Sequence, residues 1–179
     1  SSQMVYGDVN HTAVSEGFSL QSPGFAYGCS KINSENWLRY FQKEHGGLCL
    51  ALRFTGFVEG GGLIDYIIDR ALRNEPVELF SQGTVCRDYL SVDKGVDAFL
   101  SALCYEKNDS FEVFNIGSGK VLSSHHLATM VFAELNSSSD VVLSSFPARM
   151  RNFGFDIRKA VEQLNFNPGD LSESIREYV

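Results

Sequence analysis

Apolar positions along the chain alternate between a helical spacing and short dense runs, and each change of pattern coincides with glycine, proline or a polar cluster. From Ser1 to Pro23 polar residues mix with Gly, Asn, Ser and Pro, which predicts the end of a strand followed by an irregular loop. From Phe25 to about His45, Ile32, Leu38 and Phe41 recur at helical spacing, and Gly46-Gly47 stops the helix. Leu48 to Phe54 is a dense apolar run fit for a buried parallel strand, and a glycine-rich turn follows over Glu59 to Gly62. A helix is predicted from Ile64 to Leu72, strands over Val77 to Phe80 and Tyr89 to Val92 around a turn at Gly83, and a helix from Val96 to Cys104. Phe111 to Ile116 alternates as a strand, Gly117-Ser118-Gly119 turns, and Ser123 or Ser124 caps a helix from about His126 to Leu135. Val141 to Leu143 is read as the last strand, followed by helices over Ile157 to Leu164 and, capped by Asp170, Leu171 to Tyr178. Strands alternate with helices throughout, so the fold class is α/β.

Composition narrows the partners. The 179 residues are 44% hydrophobic and 21% charged, an ordinary globular balance able to bury a core. A net charge of -7 with no cluster of Lys and Arg argues against nucleic acid or an anionic membrane, and points to a small ligand. Cys29, Cys49, Cys86 and Cys104 form no CxxC pair, and His125 and His126 have no acidic or cysteine neighbour at ligand spacing, so no metal site is expected. Sequons at Asn10, Asn108 and Asn136 matter only after secretion. No leader pattern or bilayer-length apolar run accompanies them, and the cytosol is the expected compartment. The opening Ser-Ser-Gln-Met-Val-Tyr-Gly reads as if cut from something longer.

The strongest chemical signal is Tyr27-Gly28-Cys29-Ser30-Lys31. Tyr and Lys four apart on a helix project from one face, where an ammonium lowers a phenol's pKa and makes a usable base of a group otherwise titrating near 10. The pair alone is weak, since any solvated helix face can carry it. Ser1-Ser2-Gln3-Met4-Val5-Tyr6-Gly7 upstream adds a strand-end hydroxyl, and the three groups make a candidate triad of Ser2, Tyr27 and Lys31. No G-x-S-x-G elbow is present to support a serine hydrolase.

These fragments resemble the extended short-chain dehydrogenase/reductases, and in particular the NAD-dependent nucleotide-sugar epimerase/dehydratase family, in which S-S-x-x-V-Y-G precedes Y-G-x-S-K-x-x-x-E. Glu35 stands in the place of the final Glu. Further matches keep the family's order: Leu52-Arg53-Phe54, Arg87-Asp88-Tyr89-Leu90-Ser91-Val92-Asp93, Phe114-Asn115-Ile116-Gly117-Ser118-Gly119, and Phe155 to Ala160 followed by Leu164 to Pro168. The resemblance implies a doubly wound parallel sheet of Rossmann type, present here without its cofactor-binding first half, plus a small α/β substrate-binding domain. Residues 1–60 would carry the Rossmann part with the catalytic groups, and 61–179 mainly the substrate domain, with segments returning to the sheet. It further implies an NAD(P)-dependent epimerase in which Tyr27 is the acid/base, Ser2 holds the sugar hydroxyl and Lys31 binds the nicotinamide ribose. Phe54 would lie on the cofactor side, Arg87 and Arg149 on the substrate's diphosphate and Phe80 against the nucleobase. The cofactor would be NAD or NADP, the substrate a nucleotide-diphosphate sugar, and the assembly a homodimer through the catalytic helix. The plainer alternatives are a frayed Ser2, a surface ion pair of Arg87 with Asp88 or Asp93, and a core Phe80.

Three departures bear on function. No glycine-rich dinucleotide turn follows a first strand, so this stretch alone is expected to bind cofactor poorly and to be inactive. Gly56 replaces the Asn of L-R-x-x-N, and Val58-Glu59-Gly60 replaces Y-G-P, which leaves the sugar undetermined. Gln3-Met4 stand where the family's dehydratases carry Asp-Glu, which disfavours water elimination. The rivals are a reductase or dehydratase of the same family, and a non-catalytic relative that only binds a nucleotide or a protein.

Overall fold

The computed structural model describes residues 1–21, 26–149 and 151–179. Its central pairing joins β2 (Cys49–Phe54) to β7 (Phe111–Ile116) in parallel, in register from Cys49 with Phe111 to Phe54 with Ile116. Because side chains alternate across a strand, Leu52 and Phe54 with Phe114 and Ile116 point to one face, and Arg53 with Asn115 to the other. The apolar face packs against α3 (Val92–Leu103) and α5 (Arg158–Leu164) through Ala98, Ala160 and Leu164. The polar face meets α1 (Ala26–His45). Helices on both faces of parallel strands are the doubly wound arrangement expected from the alternation of patterns.

The N-terminal segment joins this layer at the C-terminal end of β2. Ser2 makes a parallel bridge to Phe54, and Phe54 N donates to Ser1 O at 3.5 Å. A 3-10 turn then runs over Gln3–Tyr6, capped by Ser2, and β1 (His11–Val14) follows. β1 lies parallel to β10 (Phe153–Phe155), which lies parallel to β5 (Cys86–Arg87), itself antiparallel to β8 (Leu122–Ser123). Within this sheet the chain runs tight at Gly154, where a Cβ would sit 2.4 Å from Val121 Cγ1 and 3.0 Å from Thr12 O. β3 (Gly56–Phe57) pairs with β6 (Tyr89–Leu90), and β4 (Val77–Leu79) with β9 (Val141–Leu143), both parallel. A second core beside β4 gathers α2 (Leu63–Leu72), α4 (Ser124–Leu135) and α6 (Leu171–Tyr178) around Ile64, Ile67, Leu127, Val131 and Ile175.

Most predicted elements stand within a residue or two, including α4 capped by Ser123, whose Oγ accepts from His126 N, and α6 capped by Asp170. The structure corrects four readings. Val141–Leu143 is not the last strand, since β10 follows it. The strands at 77–79 and 89–90 do not pair with each other around Gly83 but with β9 and β3. Val92 belongs to α3, because Ser91 caps that helix by accepting from Lys94 N at 3.3 Å. The opening loop contains β1. The expected helix start at Phe25 and loop end at Pro23 lie outside the described residues.

Candidate active site

Tyr27, Lys31 and Glu35 follow each other at four-residue steps on α1, so they share one face of the helix. The Glu35 end of that face is fixed under the first motif. Ser1 Oγ donates to Glu35 Oε1 at 2.6 Å, and Arg53 donates to both carboxylate oxygens, from Nε at 2.9 Å and from Nη2 at 2.6 Å. Arg53 Nη1 donates to the Tyr6 hydroxyl at 2.7 Å, and Tyr6 in turn donates to Asn115 Oδ1 at 2.7 Å. Asn115 completes the chain by donating Nδ2 to Val14 O at 2.9 Å and its backbone N to Glu16 Oε1 at 2.8 Å. Glu35 and Arg53 are only 3% and 2% exposed. Burial alone pushes the Glu35 carboxyl up, but the Arg53 and Ser1 hydrogen bonds and the Arg53 charge together hold it below the usual carboxylate range.

With Glu35 clamped, Tyr27 and Lys31 stand on the open end of the same face. The Tyr27 ring is 54% exposed and Lys31 Nζ lies 5.3 Å from its centroid. Ser2 is half-buried, held by its bridge to Phe54 and by accepting from Met4 N at 3.3 Å, so it is not frayed. Among the described residues no hydrogen bond joins Ser2 to Tyr27. Gln3 Oε1 is buried with no hydrogen-bond partner among the described residues.

The substrate candidates gather along the chain from 146 to 153. Ser81 N donates to Phe146 O at 2.8 Å and Ala148 N to Ser81 Oγ at 2.8 Å, which sets the Phe80 and Arg149 segments side by side. Phe80 is 47% exposed rather than in the core, and Arg149 is exposed. Arg87, in β5, lies with its guanidinium 5.5 Å from the Phe153 ring centroid and donates Nη1 to Arg151 O at 3.2 Å. Among the described residues it makes no ion pair, with Asp88 and Asp93 or any other carboxylate. Burial pushes the Arg87 guanidinium below its ordinary value, offset in part by Tyr89 and Asp88. The Phe54 ring stacks on Phe99 at 5.3 Å and lies 5.7 Å from Phe57. A Cβ at Gly56 would meet nothing closer than Tyr89 Cδ1 at 3.7 Å, so packing does not force the missing side chain there.

Asp88, named from the sequence only within its motif and as a possible surface partner of Arg87, is 2% exposed. Its Oδ1 accepts from Ser118 N at 2.9 Å and Ser118 Oγ at 2.6 Å, and its Oδ2 from Phe155 N at 3.3 Å. A Cβ at Gly117 would lie 2.5 Å from Oδ2, so the Gly117-Ser118 turn has glycine where it approaches the carboxylate. Burial pushes this carboxyl up to about 6, against those hydrogen bonds. A folded value above the unfolded one means that this group's stabilisation is full below pH ~4 and is lost as pH rises through about 6. The stability difference between the wild type and Asp88→Asn is therefore expected to fall by on the order of 3 kcal/mol from pH 4 to pH 7. Urea unfolding of both proteins across that range measures it, and a flat difference refutes the assignment.

The comparisons with known proteins bear on the family and the fold. The profile of the NAD dependent epimerase/dehydratase family matches residues 1–117. The dTDP-4-dehydro-6-deoxyglucose reductase of Escherichia coli is 30% identical over 173 residues, 92% of this chain and 53% of the relative. A UDP-glucose 4-epimerase from Thermotoga maritima, solved with UDP-glucose, superposes with a TM-score of 0.84 at 27% identity over 98% of this chain and 59% of its own. A UDP-glucuronic acid 4-epimerase from Bacillus cereus, solved with UDP-glucuronic acid and NAD, gives 0.83 at 25% identity over 99% and 59%. The chain thus spans between half and three fifths of the length of these relatives. No helix among the described residues is long and apolar enough to cross a membrane. With the matched profile covering the Ser1-Ser2 motif, the Tyr27 helix and both central strands, the chain belongs to the NAD-dependent epimerase/dehydratase family.

Proposed function

We propose that this chain carries the acid/base and substrate-binding groups of an NAD- or NADP-dependent epimerase acting on a nucleoside-diphosphate sugar. The observation that supports it is the pairing of an exposed Tyr27 ring with a half-buried Lys31 on a helix face whose next turn is clamped beneath the Ser1-Ser2 segment. The dinucleotide fits this chain at one end. Tyr27 and Lys31 offer the hydroxyl and ammonium that suit a nicotinamide ribose, with Phe54 on the same side, whereas no glycine-rich turn is present for its diphosphate. That turn would come from a segment outside this sequence, without which the chain would be inactive. When bound, the dinucleotide supplies the hydride acceptor and donor.

The remaining work falls to this chain's own residues. The Tyr27 phenolate oxygen takes a proton from the reacting sugar hydroxyl and later returns one, while Ser2 Oγ holds that hydroxyl in place. The Lys31 ammonium faces the phenolate charge and holds the ribose hydroxyls. Arg87 and Arg149 bind the diphosphate through guanidinium forks, and Phe80 lies against the base. Residues 1–60 would act as the catalytic part and 61–179 mainly as the substrate part. The exposed Trp37, Tyr40 and Phe41 of α1 would pack on the same helix of a second copy. Gln3 and Met4 supply neither acid nor base for eliminating water, so dehydration is set aside.

The reductase relative at 30% identity favours a second reading, reduction of a keto-sugar. The two separate in one assay. The full-length protein is incubated with UDP- and dTDP-hexoses and cofactor, and products are followed by NMR beside absorbance at the reduced-cofactor band. Epimerisation predicts equilibration of two sugar epimers with no net change in cofactor; reduction consumes one reduced cofactor per sugar. Binding without either reaction would leave only a nucleotide-binding relative.

A further inference from the structure

Asp88 is buried with no ion-pair partner among the described residues, and two of its contacts lead to the strand that carries Arg87's support. Its backbone N donates to Phe153 O at 3.0 Å, and its Oδ2 accepts from Phe155 N, so the residue grips β10 on both sides of Gly154. Its Oδ1 takes both Ser118 donors at the end of β7, and its carbonyl accepts from Thr55 Oγ1 at 2.8 Å just past the end of β2. One residue therefore ties β10 to the ends of the two central strands. Arg87, the preceding residue, sits in a two-residue strand, too short to set its own register. Its guanidinium rests on the Phe153 ring and on Arg151 O, both in or next to β10. Where β10 sits thus decides where the guanidinium points.

A neutral residue could fill the same space without burying a charge. A carboxylate, however, accepts from the backbone N–H groups at 118 and 155 and from the Ser118 hydroxyl at once, which no amide does without turning a donor toward a donor. We propose that Asp88 is a positioning residue for Arg87, holding β10 so that the Arg87 guanidinium is preset for the diphosphate of the substrate. This rests on the reading of Arg87 as a diphosphate ligand, and the test separates the two.

Calorimetry on the full-length protein would compare UDP and dTDP with UMP and dTMP for wild type, Arg87→Met, Asp88→Asn and the double variant, with thermal midpoints recorded for each. Arg87→Met is expected to weaken the diphosphates roughly 10- to 100-fold and the monophosphates much less. Asp88→Asn is expected to weaken the diphosphates roughly tenfold, spare the monophosphates, and add nothing on top of Arg87→Met. If Arg87→Met leaves diphosphate binding intact, the ligand role of Arg87 falls, and this proposal with it. If Arg87→Met weakens binding but Asp88→Asn does not, or the two effects multiply, or monophosphates are lost equally, Asp88 serves only the fold. Should Asp88→Asn not fold, Ser118→Ala removes one of the three donors and carries the same expectations at a smaller amplitude, about threefold.

Discussion

Arg53→Met is expected to cost about 3–5 kcal/mol of folding stability, because it leaves the Glu35 carboxylate buried with the Ser1 hydroxyl as its remaining partner. The guanidinium now supplies two donors to Glu35 and one to Tyr6. Removing the cation also withdraws what holds the Glu35 carboxyl down. A depressed folded value gives stability that is present above the unfolded pKa, about 4.3, and lost as pH falls through the folded value. Without Arg53, burial of the carboxyl is opposed chiefly by the Ser1 hydrogen bond, and that contribution is expected to shrink. The double variant Glu35→Leu with Arg53→Met is expected to recover most of the loss, since an apolar pair of similar volume leaves no charge unpaired. Urea unfolding of the four proteins of the cycle measures both effects. A single-variant cost under about 1 kcal/mol would place the pair among interactions that matter little to stability.

Tyr27→Phe in the full-length protein is expected to lower the turnover number roughly 100- to 10,000-fold while leaving nucleotide-sugar affinity within a fewfold of wild type. The substitution removes one oxygen from an exposed ring, so the fold has little to lose: a change within about 0.5 kcal/mol in stability is expected. What disappears is the atom proposed to take and return the proton. Lys31→Met should share part of the loss and also weaken the dinucleotide, because its ammonium is assigned both tasks. Steady-state rates and calorimetry on the same preparations check this. A Tyr27→Phe protein with full activity would remove Tyr27 from the chemistry.

Elements with their own local logic were legible in the chain. β2 and β7 are dense apolar runs bounded by turn residues, α1 ends at two glycines, and Ser123 and Asp170 cap helices where such residues do so in any context. β1 and β10 were not legible, for His11–Val14 and Phe153–Phe155 are short, and one contains a central glycine. They are strands because of each other, and nothing local announces a partner so distant in sequence. The site divides in the same way. That Tyr27 and Lys31 share a helix face could be read from their spacing. Glu35 and Arg53, 18 residues apart, were visible only as members of separate motifs; that they pair follows from the parallel pairing of β2, which turns Arg53 toward α1. Asp88 was visible only as part of a motif; that it is buried and bonded to Ser118 follows from the sheet ends meeting, a tertiary event.

The pairing of β1 with β10 also governs when this protein can finish folding. His11 has no sheet partner until Phe153 exists, roughly 140 residues later, so on a ribosome adding about 5–20 residues per second the first strand waits several seconds or more after it is made. Val5, Tyr6, Val9 and Val14 share one core with Phe153 and Phe155, so that core cannot be completed until β10 has been made.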